Sequence, residues 1–230
     1  MSTVKIKLDD VTLNGELVRP TTGSGIVLFA HGSGSSRMSP RNRYVASVLQ
    51  QHGMGTLLFD LLTPEEDRQM ATRFDITLLT RRLLATTIWL QENPAAHSCK
   101  FGYFGASTGA AAALQAAAQM QDTISAVVSR GGRPDLAGEI ILKQVKAPTL
   151  LLVGSEDYGV IELNEQAYSF LQCDKKLVLI QGATHLFEEP GTLEQVALEA
   201  SHWFMRYFTT PASPQSDKHH SNDATGIAAD

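Results

Sequence analysis

The sequence predicts an α/β fold: a mostly parallel sheet of eight strands with helices on both faces, opened by an antiparallel N-terminal hairpin. Three observations predict it. Apolar runs of strand length recur along the chain, segments of helical periodicity lie between them, and the runs after the first two are apolar with little alternation. A strand with one wet face alternates with a period of two, whereas a strand covered on both faces reads as a continuous apolar run.

Residues 4–8 and 11–18 alternate in polarity around Asp9-Asp10, which predicts the hairpin. Ile26-Val27-Leu28-Phe29-Ala30 is the first fully apolar strand, and similar runs follow at 55–60, 100–104, 126–129, 149–153 and 176–180. An amphipathic helix is predicted at 41–51, and another at 75–92, where Leu78, Leu79, Leu83 and Trp89 fall at helical spacings. Residues 107–119 are rich in alanine, the strongest helix former, whose small side chain lets a helix lie close to a sheet. Helices at 160–171 and 193–208 complete the series. Residues 63–68 read as a solvated loop, and no insertion is long enough to form a large cap.

The 230 residues are 43% hydrophobic and 19% charged, the make-up of a globular protein with a sizeable core. A net charge of -5 argues against nucleic acid or an anionic membrane surface as the main partner. No apolar run approaches the roughly 20 residues of a membrane helix. The alternating start at Met1-Ser2-Thr3-Val4 lacks the apolar core of a secretory signal. Cys99 and Cys173 belong to no metal-type cluster, which fits a reduced, cytoplasmic setting. One domain is expected over residues 1–208. From Thr209 to the end at 230, Pro211, Pro214, serines and small residues replace any periodic pattern, so a disordered tail is expected there. The pair His219-His220 in that tail reads as solvated in preference to metal-bound.

The chemistry centres on Gly105-Ala106-Ser107-Thr108-Gly109, placed between a predicted buried strand and the alanine-rich helix. A nucleophilic serine needs such a strand-to-helix turn, with glycines on both sides so that neighbouring backbone can pass. The competing reading makes Ser107 an ordinary helix cap. A neutral serine also needs a base. His185, in Gly182-Ala183-Thr184-His185-Leu186-Phe187, emerges after a late strand, where a base for Ser107 is expected. Asp157, in Gly154-Ser155-Glu156-Asp157, follows the strand at 149–153 and would fix the imidazole. Glu156 is its nearest rival, with Glu188 and Glu189 further off, and a loop-capping role for Asp157 stays open. His31-Gly32-Ser33-Gly34-Ser35-Ser36 follows the strand at 26–30, so the N–H groups of Ser33 and Thr108 are the expected oxyanion donors. His31 would brace that loop and lie at the substrate. Arg130 and Arg133 follow another buried strand, where either could pair with an anionic substrate group or with Asp135. Arg73 is a further candidate at the pocket rim.

Together these motifs resemble the dienelactone hydrolase-related group of α/β hydrolases. They are similar in particular to small hydrolases that also occur fused to phosphoribosyltransferase domains. The resemblance covers residues 3–208, and Thr184-His185-Leu186-Phe187-Glu188-Glu189-Pro190-Gly191 is its most specific piece. It implies an α/β-hydrolase fold without a cap and hydrolysis of an ester, lactone or related acyl bond. Dienelactone hydrolases proper use cysteine at the elbow, whereas this chain has Ser107, so the dienelactone substrate does not carry over.

The expectation is therefore a serine hydrolase acting through an acyl-enzyme on Ser107, on a small-molecule acyl substrate, with no metal or organic cofactor. A thioesterase would need the same machinery. A catalytically silent binding domain of the same fold is the rival from another class.

Overall fold

Eight strands form one sheet in the computed structural model, which describes residues 2–21 and 25–209. The strands are β1 (Ser2–Lys7), β2 (Thr12–Val18), β3 (Gly25–Ala30), β4 (Gly55–Phe59), β5 (Lys100–Ala106), β6 (Ile124–Arg130), β7 (Thr149–Gly154) and β8 (Lys175–Ile180). Their order across the sheet is β1-β2-β4-β3-β5-β6-β7-β8. β1 and β2 pair antiparallel, as does β2 with β4, and every later pairing is parallel. The tail from residue 210 onward, His219-His220 included, lies outside the described residues.

The helices are α1 (Pro40–Gln51), α2 (Pro64–Asp67), α3 (Met70–Arg73), α4 (Ile76–Gln91), α5 (Thr108–Met120), α6 (Glu139–Leu142), α7 (Tyr158–Phe170) and α8 (Thr192–Thr209). They form two layers, which explains the unbroken apolar runs. On β3, Val27 and Phe29 point to the layer of α1 and α8, against Val45, Leu49, Val196 and Phe204. Ile26 and Leu28 point the other way, to Leu79 and Leu83 of α4 and the alanines of α5. Both sets are buried, so a strand with period-two geometry reads as uniformly apolar. In α5, every residue from Ala110 to Leu114 is fully buried, which only small side chains allow so close to a sheet.

The short helices α3 and α6 have no counterpart in the sequence reading, and two further elements differ from it. The 63–68 segment contains helix α2, held by a capping box: Thr63 Oγ1 accepts from the Glu66 N–H at 3.2 Å, and Glu66 Oε2 accepts from the Thr63 N–H at 2.8 Å. The Thr-x-x-Glu spacing followed by proline at the first helical position carries that signal. β8, read as a buried strand, instead forms an edge with Leu179 exposed and Lys175 and Lys176 on its first turn of pleat, in keeping with how exposed edges are protected from further pairing.

Arg82 of α4 is 2% exposed and ties distant segments together, bonding Asp10 in the β1–β2 turn and Glu66 of α2, the latter at 2.8 Å. Both carboxylates reach water, so truncation leaves neither charge stranded, and the loss is smaller than for a fully buried pair. Arg82→Ala is expected to lower stability by about 2 kcal/mol. An unchanged urea midpoint would remove this residue from the account of stability.

Candidate active site

At the C-terminal edge of the sheet, β5 ends at Ala106 and α5 begins at Thr108, so one residue makes the turn. That residue is Ser107, with φ 51° and ψ -124°. Such a backbone is costly for any side-chain-bearing residue and persists only where its surroundings enforce it. Here they do. The Ser107 N–H donates to the Arg130 carbonyl at 3.2 Å, and the Ser107 carbonyl accepts from the N–H groups of Ala110 and Arg133 at 3.0 and 3.1 Å. A Cβ on Gly105 would lie 2.4 Å from Ala110 Cα, and one on Gly109 would lie 2.1 Å from the Ala30 carbonyl oxygen. The turn therefore closes only with glycine at both positions. Ser107 occupies the cap position of α5, yet its hydroxyl makes no capping hydrogen bond. The hydroxyl is left for other work.

The ends of β7 and β8 are laced by main-chain bonds. The N–H groups of Ser155 and Glu156 donate to Ile180 and Ala183 carbonyls, each at 3.0 Å. A Cβ on Gly154 would come within 2.2 Å of the Ala183 oxygen. This close approach sets Asp157 beside His185, whose Nδ1 lies 2.7 Å from Asp157 Oδ2. Asp157 makes no side-chain cap bond to α7, so the carboxylate serves the histidine. The other acids are engaged elsewhere. Glu156 accepts from the Tyr158 hydroxyl at 2.6 Å, Glu188 pairs with Arg41 at 2.9 Å, and Glu189 accepts from the Thr184 N–H at 3.1 Å. The Thr184 hydroxyl and its neighbouring N–H groups hold the Glu189 carboxyl below its usual pKa.

The loop after β3 passes directly over Ser107. A Cβ on Gly32 would sit 3.0 Å from Ser107 Cβ and 3.7 Å from its Oγ. The next residue, Ser33, donates its N–H to Thr108 Oγ1 at 2.9 Å. That N–H faces the start of α5, but the threonine hydroxyl occupies it. The Thr108 N–H, at the first position of the helix, has no intrahelical partner. His31 is 5% exposed. Its Nε2 accepts from the Leu61 N–H at 3.0 Å, so Nδ1 carries the proton and faces the Gly32 carbonyl at 3.0 Å. Burial lowers its pKa and keeps it neutral. With both nitrogens engaged it braces the loop and has no polar atom left for a substrate.

Gly32, Ser33, Arg41, Ser107, Arg130, His185 and Leu186 line one cleft of about 260 Å³. A second recess of about 210 Å³ adjoins it across Ser35, bounded by His31, Asp60 and Thr63. Of the two arginines read from sequence, Arg130 faces the cleft. Arg133 holds Asp135 through Nε and Nη2 at 2.9 and 2.8 Å, the structural alternative left open above, and that pairing raises its pKa. Arg73 is paired with Asp67 at 3.1 Å. Arg41 is a cleft residue that the sequence reading missed, although Ser39-Pro40 is a legible helix start directly after the Gly/Ser loop. Among the described residues there is no cluster of three His, Cys, Asp or Glu side chains able to hold a metal, and no helix long and apolar enough to cross a membrane.

Comparison with known proteins sets this geometry in context. The sequence pattern of the dienelactone hydrolase family matches residues 45–210. A crystal structure of dienelactone hydrolase from Anabaena variabilis superposes with a TM-score of 0.87 at 58% identity, covering 90% of this chain and 97% of that one. Est1E from Butyrivibrio proteoclasticus superposes with a TM-score of 0.78 at 17% identity, covering 91% and 100%, which speaks to the fold alone. Two Mycobacterium tuberculosis relatives, from strains CDC 1551 and H37Rv, are provisionally named phosphoribosyl transferases. Each is 56% identical over 208 residues, 90% of this chain and 47% of the relative. The chain thus spans about half the length of the curated relatives it matches.

Proposed function

The chain belongs to the dienelactone hydrolase family and is a hydrolase of the α/β type, and from that footing we propose that it cleaves a carboxylic ester, lactone or related acyl bond through an acyl-enzyme on Ser107. The observation that carries the reading is the 2.7 Å contact of His185 Nδ1 with Asp157, on an imidazole that lines the same cleft as Ser107.

In this mechanism Ser107 Oγ attacks the acyl carbonyl carbon and its proton passes to His185 Nε2. Asp157 keeps Nδ1 protonated, so that Nε2 is the accepting nitrogen, and then stabilises the imidazolium. The carbonyl oxygen becomes an oxyanion held by the Thr108 N–H at the positive end of α5. Ser33 supplies the second donor once its N–H passes from Thr108 Oγ1 to the substrate oxygen. Collapse returns electrons to the carbonyl, breaks the bond to the leaving group and delivers the His185 proton to it. Water then repeats the sequence on the acyl-enzyme, and the acid leaves with Ser107 restored. No step calls for a metal or organic cofactor.

A fluorophosphonate probe tests the nucleophile directly. The folded wild-type chain should label to stoichiometry, and Ser107→Ala should not label at all. An unlabelled wild-type protein ends the assignment.

A further inference from the structure

The described residues include two deeply buried arginines, and they are treated oppositely. Arg82 has two carboxylates. Arg130, 8% exposed, has none: its Nε and Nη1 are buried without a hydrogen-bond partner, and the Phe187 ring, 5.8 Å away, is its aromatic neighbour. A buried guanidinium without a counter-ion is strongly unfavourable unless something outside the chain supplies one. Burial, and then the charge of Arg41, push its pKa down to about 10, so two like charges approach each other at the wall of the cleft. Arg41 shares the strain. Its Nη1 holds Glu188 at the rim, but its Nε is also buried and unpartnered. Arg41 sits in the first turn of the 12-residue α1, whose N-terminus, capped by Ser39, opens onto the same cleft. Pro40 has no N–H and that of Asn42 is taken by Ser39 Oγ at 3.3 Å, so this end offers the Arg41 N–H and the positive pole of the helix.

We propose that Arg130, Arg41 and the N-terminus of α1 form an anion subsite beside Ser107, built for a doubly charged phosphate group of the substrate. Charge counting favours phosphate over carboxylate. Two guanidinium groups and a helix end, less the one carboxylate of Glu188, leave more than a single positive charge. A carboxylate neutralises one unit with two oxygens, whereas a phosphate monoester carries nearly two units on three acceptor oxygens. The two arginines reach the cleft from separate elements, β6 and α1, which suits a tetrahedral group better than a planar one. The register of β5 and β6 sets Arg130 directly beside Ala106, so an anion held there fixes a substrate next to the nucleophile.

The word substrate rests on the serine-hydrolase reading; the binding of the anion does not. Both are therefore tested on the full chain. In Ser107→Ala protein, calorimetric titration at low ionic strength should show saturable binding of inorganic phosphate, at least about tenfold tighter than acetate. Arg130→Gln and Arg41→Gln, each made in that background and checked for native circular dichroism, should each weaken phosphate about tenfold or more. Phosphate that does not saturate, or that binds both variants as tightly as the parent, overturns the subsite. Acetate binding as tightly as phosphate overturns the preference for a dianion. In the Ser107-intact chain, the kcat/KM ratio of a phosphate-bearing ester to its neutral analogue should fall about tenfold or more in Arg130→Gln. Phosphate binding without fluorophosphonate labelling would keep the subsite and remove the hydrolase; labelling without phosphate binding would do the reverse.

Discussion

Replacing His185 with alanine should reduce turnover of an activated ester by about 10⁴-fold or more, with little change in KM. The size of the effect follows from the inventory of bases. A serine hydroxyl is a weak nucleophile until a neighbouring group takes its proton, and the cleft offers one imidazole for that task. His31 is the next histidine along the same sheet edge, but both of its nitrogens are committed to main chain, so it cannot substitute. The acids cannot either, since Glu156, Glu188 and Glu189 each have another partner. What survives should be the contribution of the oxyanion donors and of binding. Stopped assays of purified His185→Ala against wild type measure it, and a residual rate within tenfold of wild type would strip His185 of its role.

The second large effect is structural. Gly109→Ala is expected to destabilise the chain by about 3–5 kcal/mol, because the new methyl meets backbone on two sides: Ala30 oxygen at 2.1 Å and His31 oxygen at 2.5 Å. Neither is the loose end of a side chain that could swing away. Relief requires α5 to lift from β3, which also carries Ser107 out of register with the loop at Gly32. Gly159→Ala is the matched control, with nothing within 4 Å of the added Cβ in a helix that alanine favours over glycine. It should be neutral or stabilising by up to about 1 kcal/mol. Urea midpoints of the two variants check the pair, and a Gly109→Ala midpoint equal to that of the control would show that this contact can relax.

What the sequence made legible, and what it hid, divides along one physical line. Features carried by local pattern could be read. The apolar run at Ile26 to Ala30 announced a doubly covered strand, and the alanines of α5 announced a helix pressed against the sheet. The Gly-x-Ser-x-Gly spacing stood for an elbow that now has a positive φ at its serine. The capping box at Thr63 and Glu66 was just as local and went unread, because a run of acids there looked like a solvated loop. Features that depend on where distant segments meet could not be read. Arg133 and Arg130 stand three residues apart after the same strand, yet one meets Asp135 while the other turns into the cleft without a carboxylate. Arg41 reaches that cleft from another crossover, and Phe187 packs beside Arg130 in a left-handed conformation that nothing in its own sequence announces. The edge position of β8 is equally a matter of sheet order, since its residues alone read as interior.

The backbone of Ser107 also sets two selective demands against each other. At φ 51° a glycine would rest without penalty, while a serine gives up on the order of 1–3 kcal/mol of folding free energy. Pressure for a sturdier chain, acting alone, would replace the residue that the proposed chemistry cannot lose. A lineage that keeps serine at this point is therefore being held there by use, and one released from that use has a downhill route to glycine.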